Sequence, residues 1–121
     1  TNGESAFKFA AGYQENLYKV AGEHLIKMLS KEQRVLLWGA GSDLYQTLKY
    51  TPKLKQYELE IVDINPKKIG KYFFGYKVFS PENKRQSDLI VATPASPLLC
   101  ENIEKDANKL YPNISVKRLF L

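Results

Sequence analysis

The sequence predicts an α/β fold: a three-layer sandwich of about five mostly parallel strands, in the order 3-2-1-4-5, with an extra helix at its N terminus. Three observations predict it. Val35, Leu36, Leu37 and Trp38 form an apolar run without alternation, the mark of a strand buried on both faces of a parallel sheet. A glycine turn, Gly39-Ala40-Gly41, follows at once. Strand-like and helix-like stretches then alternate to the end of the chain, as they do when parallel strands are joined by right-handed crossovers.

The elements follow in order. Residues 1–11 read as a linker or arm, with Phe7 and Phe9 as the only large apolar groups. From Tyr13 to Ser30 apolar residues recur at steps of three and four (Tyr13, Leu17, Val20, Ala21, His24, Leu25, Met28), which predicts an amphipathic helix. Arg34 to Trp38 is the first strand. Asp43 to Tyr50 reads as a short helix with Leu44, Thr47 and Leu48 inward, stopped by Thr51-Pro52. Glu58 to Asp63 is the second strand and Asn65-Pro66 a turn. Tyr76 to Phe79 is a short third strand. Ser80-Pro81-Glu82 resembles an N-cap with proline at the first helical position, so a brief helix is expected there. Asp88 to Ala92 is the fourth strand. Ser96-Pro97 repeats the cap and opens a helix to about Tyr111, with Leu98, Leu99, Ile103, Ala107 and Leu110 as its buried stripe. Ile114 to Leu121 is the last strand.

Size and composition bound the function. The chain has 121 residues, 44% hydrophobic and 26% charged, which fits one domain (12–121) of the usual roughly 100–150 residues. The longest uncharged apolar run, Val35 to Ala40, falls far short of the roughly 20 residues of a membrane helix. No signal peptide is visible, and the single Cys100 forms no internal disulfide. A reducing, cytoplasmic setting is therefore expected. The first residue is Thr1 rather than Met, which reads as a piece of a longer protein. Net charge is +5, and the stretch from Lys49 to Lys77, with seven lysines against three acids, holds +4 of it. Such a field attracts phosphates; it is also what a solvated lysine-rich loop region looks like. With three arginines and no continuous basic helix stripe, specific nucleic-acid binding is not expected.

One constellation points to binding. A strand, Gly39-Ala40-Gly41, a helix, a second strand and Asp63, 22 residues after Gly41, match a Rossmann-like mononucleotide unit. There the glycines let the backbone approach a phosphate, the helix start at Ser42 offers free amides, and an acid about 20 residues on meets ribose hydroxyls. The sequence departs from G-x-G-x-x-G at the third glycine, where Leu44 stands. Asp43 adds a carboxylate to the first helical turn, where it repels phosphate or caps the helix. In the predicted strand order the loop Thr93-Pro94-Ala95-Ser96 lies beside the glycine turn at the switch point. Thr93 and Ser96 are thus candidates for ribose or sugar hydroxyls, although Ser96 also reads simply as an N-cap. The candidate ligand-binding set is Gly39, Ala40, Gly41, Ser42, Asp63, Thr93 and Ser96.

Other residues read as structural. His24 lies on an apolar helix face and Cys100 has no partner at a catalytic spacing. Tyr72, Phe73, Phe74, Tyr76 and Phe79 form an aromatic group that either stacks on a ligand or packs on a partner domain. No Cys/His metal set, nucleophile elbow or P-loop lysine is present in the sequence.

The strings Val35-Leu36-Leu37-Trp38-Gly39-Ala40-Gly41, Val62-Asp63-Ile64-Asn65-Pro66-Lys67-Lys68-Ile69-Gly70-Lys71, Gly75-Tyr76-Lys77-Val78-Phe79-Ser80-Pro81-Glu82 and Ser87-Asp88-Leu89-Ile90-Val91-Ala92 together resemble a known module. It is the Rossmann-like accessory module of bacterial sugar C-methyltransferases, FkbM-type methyltransferases and related glycan-biosynthesis enzymes. The resemblance spans residues 34–92. It implies a binding or scaffolding domain beside a catalytic one, with the Gly39–Ser42 turn, Asp63 and the Thr93–Ser96 loop facing the ligand.

Three functions are therefore expected to compete. The first is a non-catalytic module that binds a nucleotide or nucleotide sugar next to a catalytic transferase domain. The second is an NAD(P)-binding oxidoreductase fragment, for which no catalytic residue stands at a convincing position. The third is a structural domain that forms a homodimer through its first helix and aromatic group.

Overall fold

The computed structural model describes the backbone of residues 2–31 and 33–120 and the side chains of residues 12–31 and 33–120. The chain is a Rossmann-like α/β sandwich. Its elements are α1 (Asn2–Met28), β1 (Arg34–Trp38), α2 (Ser42–Tyr50), a 3-10 turn (Pro52–Gln56), β2 (Glu58–Val62), β3 (Tyr72–Phe73), β4 (Tyr76–Phe79), β5 (Leu89–Ala92), α3 (Pro97–Leu110) and β6 (Val116–Arg118). The sheet order is β3-β4-β2-β1-β5-β6. All neighbours are parallel except β3 and β4. The five expected strands take the expected order, and β3 adds a sixth at the edge.

Alternation along the strands divides the core into two. Val35 and Leu37 of β1 face a cluster with Leu25, Leu44, Leu48 and Ile61, under α1 and α2. Leu36 and Trp38 face the opposite way, onto Ala107 and Tyr111 of the α3 layer. The two crossovers leave β1 in opposite directions, β1-α2-β2 to one side and β5-α3-β6 to the other. Right-handed connections then put their helices on opposite faces. The loops after β1 and β5 meet at the resulting switch point.

Several expectations are corrected. Helix α1 begins at Asn2, not Tyr13, so the arm expected over 1–11 is helical from residue 2. Its side chains, Phe7 and Phe9 included, lie outside the described residues. Ala21 and Leu25 are buried, but Tyr13, Leu17 and Val20 are exposed, because α2 and the sheet cover only the C-terminal half of that stripe. Gly22 sits where α1 meets Thr51: a Cβ there would stand 1.8 Å from Thr51 Oγ1. This close approach accounts for a glycine inside a helix. Ser80-Pro81-Glu82 opens a turn rather than a helix. Leu98 and Leu99 are exposed; α3 seats on the sheet through Cys100 and Ala107 instead. The last strand shortens to Val116–Arg118.

The aromatic group is divided. Phe74 and Gly75 have positive φ, 49° and 85°, and form the two-residue turn of the β3–β4 hairpin. Phe73 and Phe74 meet Tyr45 of α2 edge-on. Phe79 lies under Lys77 and Arg85, and Tyr72 remains exposed. Among the described residues no helix is long and apolar enough to cross a membrane.

Candidate ligand-binding cleft

The parallel ladder continues past the strand ends and sets the site. The Gly39 amide donates to Val62 O (2.9 Å), that of Asp63 to Phe79 O (3.1 Å) and that of Thr93 to Trp38 O (3.2 Å). Residues 39, 63 and 93 therefore stand in a row at the carboxyl end of the sheet, where open α/β sheets bind ligands.

Gly39 turns with φ +120°, and a Cβ there would stand 2.6 Å from Thr93 Oγ1. The position needs glycine for both reasons. Gly41 has φ −113° and open space around its missing side chain. It is the N-cap of α2, and no side chain caps that end. The first amides of α2 therefore lack intrahelical acceptors and lie at the positive end of the helix dipole. Leu44, in place of the third glycine, points into the core and is fully buried.

Both acids near the turn are engaged. Asp63 accepts from the Ala40 amide through Oδ2 (2.7 Å) and from the Asn65 amide through Oδ1 (2.8 Å). It ties the glycine turn to the loop after β2. Each oxygen keeps a further lone pair, so a ribose hydroxyl would add to these bonds rather than replace them. Asp43 does not cap α2. Its Oδ1 accepts from the Tyr18 hydroxyl (3.0 Å) and its Oδ2 from the Ala95 amide (2.9 Å). Burial, and then the bond to Asp43, push the Tyr18 phenol above its ordinary pKa.

The loop after β2 makes two successive Asx turns. Asp63 accepts from Asn65, and Asn65 Oδ1 from the Lys67 amide (3.0 Å). These turns bring Lys68 back so that its Nζ donates to Ala40 O (2.7 Å), placing a cation at the glycine turn.

A cavity of about 370 Å³ opens here between the glycine turn, Ile64 and α3. Of the expected set, Gly39, Gly41, Ser42, Asp63 and Thr93 line it; Ala40 and Ser96 do not. The Thr93 hydroxyl is buried and donates to Gly39 O (2.6 Å). It shapes the turn rather than offering a free hydroxyl. Ser96 accepts from the Leu99 amide as the cap of α3. Sequence reasoning missed Lys68, whose signal was the Asp-x-Asn-Pro spacing, and Ile64, Asn102 and Asp106, which had none. Cys100 donates to Pro94 O (3.1 Å), and burial raises its thiol pKa. Among the described residues no cluster of three or more His, Cys, Asp or Glu could hold a metal.

No family model matches the sequence, and no curated protein does. Among solved structures the chain is similar to RSP, a Rex-family repressor, with a TM-score of 0.52 and 16% identity. The match covers 82% of this chain and 59% of that one, so the chain spans a little over half the length of that protein. At this identity the likeness shows the α/β fold.

Proposed function

We propose that this domain binds a nucleotide or nucleotide sugar at the switch-point cleft and performs no chemistry of its own. It serves a neighbouring catalytic domain of a glycan-biosynthesis transferase, as the sequence resemblance implies. The observation that carries the reading is the cavity at the uncapped N terminus of α2. There the two carboxylates beside the glycine turn, Asp43 and Asp63, are each held by two donors, and Lys68 adds positive charge, while Asp106 of α3 is a third carboxylate in the cavity wall. An anion there meets free amides and the helix dipole, with the backbone approach that Gly41 allows.

The test is a thermal-shift panel of nucleotides, nucleotide sugars, NAD(P) and S-adenosylmethionine, since a ligand of the native state raises the melting point. A shift with nucleotides or nucleotide sugars, lost in Gly41→Val, supports the reading. A shift with NAD(P) alone replaces it with the oxidoreductase reading. No shift with any of them refutes it.

Assembly through α1 is a second reading, favoured by the exposed Tyr13, Leu17 and Val20. Light scattering that gives a dimer in wild type and a monomer in Leu17→Glu would support it.

A further inference from the structure

A second cavity, also about 370 Å³, adjoins the first. It lies between the 80–82 turn and the C-terminal half of α3. The two cavities share Trp38, Ile64 and Asp106 in their walls, so they are halves of one cleft divided by Ile64 on one side and Asp106 on the other. The second half exists because Ser80-Pro81-Glu82 turns instead of opening a helix. Tyr111 fixes that turn, its hydroxyl donating to Pro81 O (2.9 Å) and accepting from the Arg85 amide (3.2 Å).

The chemistry of the two halves differs. The first has the backbone amides of the α2 terminus, Lys68 and two carboxylates, Asp43 and Asp63, already held by donors. The second has Glu82, Asp106 and Lys109. Among the described residues the Glu82 amide donates to Ser80 Oγ (3.3 Å), but no hydrogen bond or ion pair engages the side chain of any of these three, although carboxylates and ammonium stand around one space. Ile64, Ile69 and Leu110 supply apolar wall between them. Acceptors and a donor around an aliphatic surface suit a group with many hydroxyls and C–H faces. A flat base would find little to stack on, because Trp38 is the only aromatic in the wall and is 2% exposed.

We propose that the second half binds a sugar joined to the anion held in the first, so that the ligand is a nucleoside diphosphate sugar rather than a free nucleotide. The proposal rests on the nucleotide reading above. Glu82, Asp106 and Lys109 bond the sugar hydroxyls. Neither Glu82 nor Lys109 touches the first cavity, and both are exposed, so their removal leaves the fold and the anion site in place.

The experiment is calorimetry on the full chain with matched pairs: UDP and UDP-glucose, ADP and ADP-glucose, GDP and GDP-mannose. The expected result is one pair in which the sugar form binds at least tenfold tighter than its diphosphate. In the double variant Glu82→Ala/Lys109→Ala that advantage falls to less than threefold while the diphosphate affinity is unchanged. If diphosphates bind but their sugars add nothing, or the advantage survives in the double variant, the sugar assignment is overturned and the nucleotide reading stands. If no member of any pair binds, both are overturned.

Discussion

Asp63 offers the sharpest separation between a residue that holds the site together and one that waits for a ligand. A carboxylate kept free for ribose can be removed from the empty protein at no cost. The Asp63 carboxylate instead accepts two backbone amides, at 2.7 and 2.8 Å, and the residue is 9% exposed. In Asp63→Ala the Ala40 amide loses its partner in a buried setting, which costs about 1–3 kcal/mol, and the Asn65 amide, reachable by water, about 0.5–1.5. The sum is about 1.5–4.5 kcal/mol, which for a domain of this size is a fall in Tm on the order of 10 °C. Asp63→Asn keeps one acceptor and turns an amide toward the other donor, so its loss is about half as large. The assay is thermal unfolding by circular dichroism without ligand, with urea midpoints as a second measure. A Tm for Asp63→Ala within about 1 °C of wild type would refute the reasoning and return Asp63 to the role of a free ribose acceptor.

Three further outcomes are expected. Gly39→Ala forces a side chain into positive φ and onto Thr93 Oγ1, costing about 1–3 kcal/mol by urea unfolding, whereas Gly41→Val meets open space and costs only what a poorer N-cap does, about 0.5–1 kcal/mol. Tyr18→Phe removes one of the two donors to Asp43. It lowers stability by about 1 kcal/mol and weakens anion binding in calorimetry, because the freed carboxylate lies at the first turn of α2. Acid sensitivity also has named sources. The Arg34 backbone amide holds Asp88 below the usual carboxylate range, and the Arg118 guanidinium does the same for Glu104. Depressed folded values mean stability that is present above that range and lost as pH falls through them. The Tm difference between wild type and Glu104→Gln is therefore expected to be positive at pH 7 and to vanish in acid; a difference independent of pH would refute the assignment.

The local pattern by itself determined the sheet, its order and the place of the cleft. An unbroken apolar run of four residues closed by a glycine turn is too short for a buried helix and reads as a strand covered on both faces, and an acid at the end of the next strand leaves few other arrangements. What only the tertiary structure decided was the use of each polar group. Asp43, Asp63 and Thr93 all reach the cleft, yet each is engaged by donors or acceptors 23 to 54 residues away, and no spacing along the chain announces such partners. The exposure of Leu98 and Leu99 was decided in the same way. Helical periodicity shows which residues share a face, but not that Leu99 would line the cleft rather than pack on the sheet. Ser80-Pro81 satisfies every local rule for a helix start, and Tyr111, 30 residues on, holds it as a turn and so opens the second cavity.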